Sequence, residues 1–236
     1  MLHVLLPPSE GKAPGGGRPR WRPGSGRFGR RLGGHRRQVA EALAAVDGGD
    51  QRLLGVGGPT LDRARAANRA LVDAPTLPAG ERFTGVVWGH LDLATLSPPA
   101  RARADDGVLV VSALLGVCAL GDPVPDFRCK LSASLPRLGR LAPWWRPHLS
   151  AVLDDALAGS LVVDLLPQEH AAAWTPDPSR YDHRRVRLTD DRGRTVGHDA
   201  KAAKGRLARA LLSAERPEQV LARGSFDGFA LHVDAG

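Results

Sequence analysis

The run Asp122-Pro-Val-Pro-Asp126 places the tightest restriction on this chain. Pro123 and Pro125 exclude helix and central strand, because proline fixes φ and lacks the N–H that either ladder needs. The run follows Val108-Leu-Val-Val-Ser112, an apolar segment that reads as a buried strand. A stiff loop just after a buried strand therefore presents Asp122, Asp126 and Arg128 together, where binding and catalytic groups tend to sit. Leu2–Leu6 and Leu161–Leu165 read as two more buried strands. The three are expected in one sheet with their carboxyl ends on one side. Helical stretches and hairpins alternate irregularly between them, so the pattern predicts an α+β fold: a mixed β-sheet with flanking helices rather than a doubly wound parallel sheet.

Other segments fill in this plan. Phe83–Trp88 reads as a buried strand, Arg184–Leu188 as a half-exposed one and Phe229–Val233 as a terminal one, with a hairpin turn over 189–195. Leu32, Val39, Leu43 and Val46 recur at helical spacing within Phe28–Val46. Arg27, Arg30, Arg31, Arg36 and Arg37 then form a solvated basic face. Arg137–Leu157 is helical beyond Pro143, with Trp144 and Trp145 packing on the core. Asp199 caps a helix through Leu212. Asp164, inside an apolar strand, needs a cation or backbone donors nearby. The 236 residues, 42% of them hydrophobic, suit a single domain over 1–236. Residues 13–26, rich in Gly, Pro and Arg, read as a mobile loop whose Trp21 could lie against nucleic acid. The first residues lack the basic start and long apolar run of a signal peptide, and no stretch is long enough to cross a bilayer. A cytoplasmic protein with no membrane partner is expected.

The formal charge of +8 favours polyanionic partners. The 33 basic residues include only four lysines, Lys12, Lys130, Lys201 and Lys204. Cys118 and Cys129 read as small apolar residues in a reducing compartment rather than a redox pair. Neither they nor the eight histidines form a metal-ligand spacing, so neither metal nor cofactor is expected. Pro8-Ser-Glu-Gly-Lys-Ala13 lacks the first glycine of a phosphate loop, and there is no G-x-S-x-G elbow.

Two features carry candidate chemistry. First, polar groups follow buried strands at Ser9-Glu10-Lys12, at Asp122-Asp126-Arg128 and at Gln168-Glu169-His170. Lys201, Lys204 and Arg206 sit near the start of the last long helix. Strand ends that converge would bring these into one cleft. There Ser9, Lys12, Asp126, Arg128, Lys204 and Arg206 are candidate ligands for a phosphate or carboxylate. Asp122, Glu169 and Lys201 are candidates for proton transfer. Second, Leu53–Leu71 reads as a helix end, a glycine-rich hairpin and a helix capped by Thr60. It is either a helix-hairpin-helix or an ordinary helical hairpin. In the first case Gly55, Gly57, Gly58 and Thr60 would offer backbone N–H groups to a DNA phosphate, with Arg63, Arg65 and Arg69 adding charge.

Five blocks in order resemble the YaaA peroxide-stress family. Ser112–Arg128 is similar to its signature S-x-L-Y-G-V-L-R-P-x-D-x-I-P-x-Y-R. Leu5-Leu-Pro-Pro-Ser-Glu-Gly-Lys12, Phe83–Asp92, Val162–His170 and His198–Arg209 resemble its other blocks. The chain departs from the pattern at Leu115 (usually Tyr), Ala119 (Arg), Leu120 (Pro), Pro167 (Ser), His170 (Tyr) and Lys204 (Arg). The resemblance implies a YaaA-like fold and a DNA-binding protein of the peroxide response that contacts double-stranded DNA mainly through phosphates. The density of charged groups supports an alternative, an enzyme acting on a nucleotide or other small anionic metabolite.

Overall fold

The computed structural model describes residues 1–191, 193–194 and 197–235; part of the turn expected over 189–195 lies outside the described residues. A seven-stranded sheet forms the centre. Its strands are β1 (Leu2–Leu6), β2 (Val108–Ser112), β3 (Gly116–Ala119), β4 (Leu161–Asp164), β5 (Asp182–Thr189), β6 (Ser225–Phe226) and β7 (Phe229–Ala235). Their order across the sheet is β6-β7-β5-β4-β1-β2-β3. β1 runs parallel to both neighbours, with Leu5 opposite Leu109 on one side and Asp164 on the other. β4 and β5 are also parallel, while β3 and β7 add antiparallel edges. The three apolar runs thus lie side by side with their carboxyl ends together. Covered on both faces, they need continuous rather than alternating apolar residues.

The helices that matter for the site are α1 (Gly29–Ala45), α2 (Gln51–Leu54), α3 (Gly58–Arg69), α4 (Val86–Leu91), α5 (Leu141–Ala156), α6 (Gln168–Ala171) and α7 (His198–Ser213). α4 corrects the strand expected at Phe83–Trp88. Phe83 makes one antiparallel bridge to Lys12, and a helix then starts at Val86. Val87, Trp88 and Leu91 are its buried residues, a helical spacing that the β-branched Val-Val pair disguises. Two caps also move. Gly57, not Thr60, precedes α3, with Pro59 in its first turn, and Gly197, not Asp199, precedes α7.

α4 and α7 press together at Gly205, where a Cβ would run into the Val87 carbonyl oxygen. Trp145 of α5 is fully buried and donates to the Ala113 carbonyl at 2.8 Å. Asp164 pairs with Arg185 at 3.0 Å and accepts the Leu166 amide at 2.8 Å.

Arg36 departs from the solvated basic face expected of it, and a second arginine, Arg82, is buried as well. Arg36, 1% exposed, donates to the carbonyls of Leu115, Val117, Pro23 and Ser25. Arg82, fully buried, donates to those of Val124, Ala13, Gly15 and Pro75. A guanidinium carries five N–H donors in a fixed fork, so one side chain ties down several irregular segments at once. Together they anchor the chain over 13–26. Trp21, in that segment, is fully buried rather than available to nucleic acid.

Candidate functional site

The carboxyl ends of β1 and β4 open into a cavity of about 460 Å³. Three loops and two helices form it: Pro7–Lys12 after β1, Phe127–Lys130 after the proline-stiffened loop, Pro167–His170 after β4, and the facing ends of α4 and α7. Its cationic side chains are Lys12, Arg128, Lys130, Lys201 and Lys204, against the carboxylates Glu10 and Glu169. Every lysine of the chain is in that set. Val86, Val87, Trp88, Phe127 and Cys129 supply apolar wall.

Lys12 is fixed by the bridge to Phe83. Its amine donates to the Ser9 carbonyl at 3.1 Å and lies 4.4 Å from the centre of the Phe127 ring. Among the described residues, no carboxylate comes within ion-pairing distance of it. Burial lowers its pKa to about 8; Asp126 and Glu10 oppose that shift, and Arg128 and Arg82 add to it. Lys204, on α7, donates to the Leu165 carbonyl at 2.5 Å. Burial lowers its pKa to about 8 as well, with Asp164 opposing and Arg185 adding. Two amines of the cavity are thus still mainly charged at physiological pH but hold a substantial neutral fraction, which an arginine side chain does not.

Arg128 reaches across the cavity mouth. Its Nε donates to the Leu54 carbonyl at 3.1 Å, and its terminal nitrogen meets Glu10 Oε2 at 2.6 Å. Ser9 is committed to shaping its own loop, since its hydroxyl donates to the Gly11 carbonyl and accepts the Thr84 amide at 2.9 Å. His170 is buried, and burial, with Lys204 nearby, lowers its pKa to about 4, so its ring is neutral. Glu169 Oε1 stands 3.5 Å from its Nδ1, too far for a good hydrogen bond.

Ser9, Lys12, Arg128, Glu169, Lys201 and Lys204 therefore share one cavity. Asp122, Asp126 and Arg206 are not on its wall. Asp122 is 8% exposed and accepts the amides of Arg27 at 2.7 Å and Ala119 at 3.0 Å. It ties the 26–27 segment to the turn after β3. Asp126 acts on Lys12 through its charge alone. Arg206 pairs with Asp227 and contacts His90 Nδ1 at 3.0 Å. Lys130 and Phe127 were not singled out from the sequence as site residues. The scarcity of lysine is the signal that could have found Lys130. The departures from the family signature divide in the same way. Leu115, Ala119 and Leu120 are buried in the core, whereas Pro167, His170 and Lys204 line the cavity.

The hairpin adjoins the cavity. α2 is a single turn closed by Gly55 at φ +66°, where a Cβ would collide with the Lys130 amine. Arg65 and Arg69 both bind Asp47, leaving Arg63 as the exposed cation on α3 without an ion pair among the described residues. Space opens over Gly58, where a Cβ would meet nothing.

Cys118 is buried, and Cys129 is half-buried on the cavity wall. Burial pushes Cys129 up to about 12 despite Lys12, and raises Cys118 further. Among the described residues, no group of three or more His, Cys, Asp or Glu is arranged to hold a metal ion, and no helix is long and apolar enough to cross a membrane. A wider hollow of about 860 Å³ lies at the opposite end of β1 and β4, around Met1 and Ser160. Its arginines are engaged elsewhere, Arg103 with the Leu212 carbonyl and Arg180 with Asp155, and it holds none of the residues singled out from the sequence.

Comparison with known proteins gives a consistent assignment. A family model described as "Peroxide stress protein YaaA" matches residues 2–234. A UPF0246 protein of Streptomyces coelicolor is 37% identical over 215 residues, covering 89% of this chain and 82% of its own. A UPF0246 protein of Corynebacterium efficiens is 32% identical over 243 residues, covering 99% and 96%. A third, from Corynebacterium glutamicum, is 29% identical over 226 residues.

Proposed function

The chain belongs to the YaaA peroxide-stress family, and on that premise we propose that its cavity binds and acts on a small phosphate- or carboxylate-bearing molecule of nucleotide size. One observation carries this reading: a chain that otherwise uses arginine places all four of its lysines around a single cavity. Where a cation only solvates a surface, the chain uses arginine. Lysine is kept where a compact charge, or an amine able to lose its proton, is an advantage. The volume of about 460 Å³ lies within the usual range for small-molecule sites, and the apolar wall gives a ring or carbon skeleton somewhere to rest. Lys201, Lys130 and Arg128 supply the anion contacts. Glu169 is the carboxylate available for proton transfer.

Calorimetric titration with inorganic phosphate, AMP and ATP tests this reading. The expected result is saturable binding of at least one of these, weakened about ten-fold or more by Lys201→Met, the equivalent of one charge-assisted contact. Absence of binding by all three at low salt would refute it.

A second reading has its own support. Arg128 and Lys130 join the cavity to the hairpin at Leu54 and Gly55, so a phosphate backbone lying on α3 would run into the same cations. On this reading the protein binds duplex DNA during peroxide stress with little base readout. Asp47→Asn would release Arg65 and Arg69, raising affinity and steepening the salt slope by roughly one to two phosphate contacts. Gel-shift titrations at several salt concentrations measure both effects. An unchanged slope would remove the hairpin from DNA binding. Neither reading routes a peroxide response through the cysteines, whose raised pKa values disfavour the reactive thiolate.

A further inference from the structure

We propose that Lys12 is a nucleophile, and that the ligand of the cavity is an anion that also carries an aldehyde or ketone, captured as an imine on the Lys12 amine. The proposal rests on the anion-binding reading above and narrows its substrate class. Four observations converge on it. The amine projects into a cavity whose other cations are Arg128, Lys130, Lys201 and Lys204, so an incoming anion has contacts that do not use Lys12. Among the described residues its one hydrogen-bond acceptor is the Ser9 carbonyl, and no carboxylate pairs with it. With no paired carboxylate to hold its proton, burial favours the free amine. The Phe127 ring, 4.4 Å from the nitrogen, faces a position where an iminium cation would be stabilised as an ammonium is. Finally, the bridge to Phe83 fixes the backbone at Lys12, so little freedom is lost when the amine attacks.

The step is a condensation. The nitrogen lone pair forms an N–C bond to the carbonyl carbon as the C=O π bond breaks. One amine proton passes to the oxygen, giving a carbinolamine. The hydroxyl then leaves as water with the second amine proton, and the N=C bond forms. No oxidant or reductant is needed, and the imine accepts a proton to become the electron-withdrawing iminium.

The free amine is the reactive form. The charged groups acting on it are Asp126 and Glu10, which hold the proton on, and Arg128 and Arg82, which favour its loss. Adduct formation is therefore expected to rise through about pH 8 rather than near the ordinary lysine value of 10.5.

Pyridoxal 5′-phosphate, used as a phosphate-bearing aldehyde reagent, tests the proposal on the full chain. After brief incubation, borohydride reduction fixes any imine, and mass spectrometry of peptides locates it. The expected result is one adduct per chain on Lys12, formed about ten-fold or more faster than with unphosphorylated pyridoxal, and suppressed by inorganic phosphate. In Lys12→Arg the adduct should vanish while calorimetric phosphate binding remains. Because mapping on the unaltered chain identifies the reacting lysine directly, a variant that fails to fold does not blunt the test. Labelling spread over Lys130, Lys201 and Lys204, or equal rates with and without the phosphate group, would overturn the proposal. If phosphate binds but Lys12 is not preferred, only the nucleophile is lost. If phosphate does not bind the unaltered chain, the anion-binding reading fails with it.

Discussion

At the scale of the residue, charge sorts into two uses. Arginine buried away from any carboxylate partner serves as a structural clamp, and lysine surrounds the cavity. Arg36 shows the first use: its guanidinium satisfies four carbonyls from the signature loop and the 23–25 segment. Arg36→Met keeps most of the packing volume but leaves those carbonyls without donors in a buried place. The expected loss is about 3 kcal/mol or more, read by urea denaturation. A loss under about 0.5 kcal/mol would mean that the carbonyls find other donors. The sequence shows Arg36 only as one of five basic residues near the start of α1, because periodicity identifies apolar faces and says nothing of a polar tip reaching across the core. Asp122 misleads for the opposite reason. Its place in a charged loop resembles that of a site residue, but its carboxylate is consumed by two backbone amides. Lys12, Lys201 and Lys204 were legible from their place in the sequence blocks, whereas Lys130 becomes so only when each lysine is asked why it is not an arginine.

At the scale of the element, the cavity depends on how closely α4 and α7 approach. α7 carries Lys201 and Lys204, and α4 carries Val86, Val87 and Trp88 of the opposing wall. Gly205 sets the separation, since any side chain there would meet the Val87 backbone. A backbone carbonyl cannot rotate aside like a side chain, so Gly205→Ala must push the helices apart. The expected outcome is a loss of about 1–3 kcal/mol together with weaker phosphate binding, seen by thermal denaturation and calorimetry. Stability lost with affinity intact would show that the two helices do not set the geometry of the site. α7 was legible from its polar start at His198-Asp199, although Gly197 rather than Asp199 precedes it. α4 was not: it is six residues long, follows an extended bridge and opens with two β-branched residues, so local propensity favours a strand. Tertiary packing against α7 decides the matter, and a single sequence does not display that contact. The hairpin lies between these cases. Its glycines mark the turn, but Asp47, which takes up two of its arginines, lies in the loop after α1.

At the scale of the whole molecule, parallel pairing of β1 with both β2 and β4 brings loops from distant parts of the chain to one end of the sheet. The three apolar runs disclosed that plan, while the identity of the loop residues that meet there depended on turns no pattern specified. This architecture also sets how stability responds to pH. His3, in the central strand, and His170, at the cavity, are both buried and held to pKa values of about 4, chiefly by burial. In the unfolded chain both return to about 6.5. Between about pH 6.5 and 4 the unfolded state therefore binds more protons than the folded one, and stability falls as the pH falls through that window. On the alkaline side, Lys12 and Lys204 have folded values of about 8 against 10.5 unfolded. For these two groups the unfolded state again binds more protons, so stability climbs from about pH 8 to 9, above which the raised Cys118 and Cys129 thiols, protonated in the fold and ionised in the unfolded chain, oppose the rise. The burial penalty of two charged amines is relieved as they lose their protons. Each group can contribute at most about 1.4 kcal/mol per pH unit within its window. Urea midpoints measured from about pH 4 to 9 should show two rising segments separated by a flatter stretch near neutrality. His170→Gln should shallow the acidic segment and leave the alkaline one alone, and Lys204→Met should shallow the alkaline segment and, to a smaller extent, the acidic one, because Lys204 helps to hold down His170. Because Lys204→Met also removes a buried charge at neutral pH, it should raise the midpoint there while weakening anion binding in the cavity. A midpoint that instead falls at pH 7 would mean that the hydrogen bond to Leu165 outweighs the desolvation of the amine, and that Lys204 is held in place for structure.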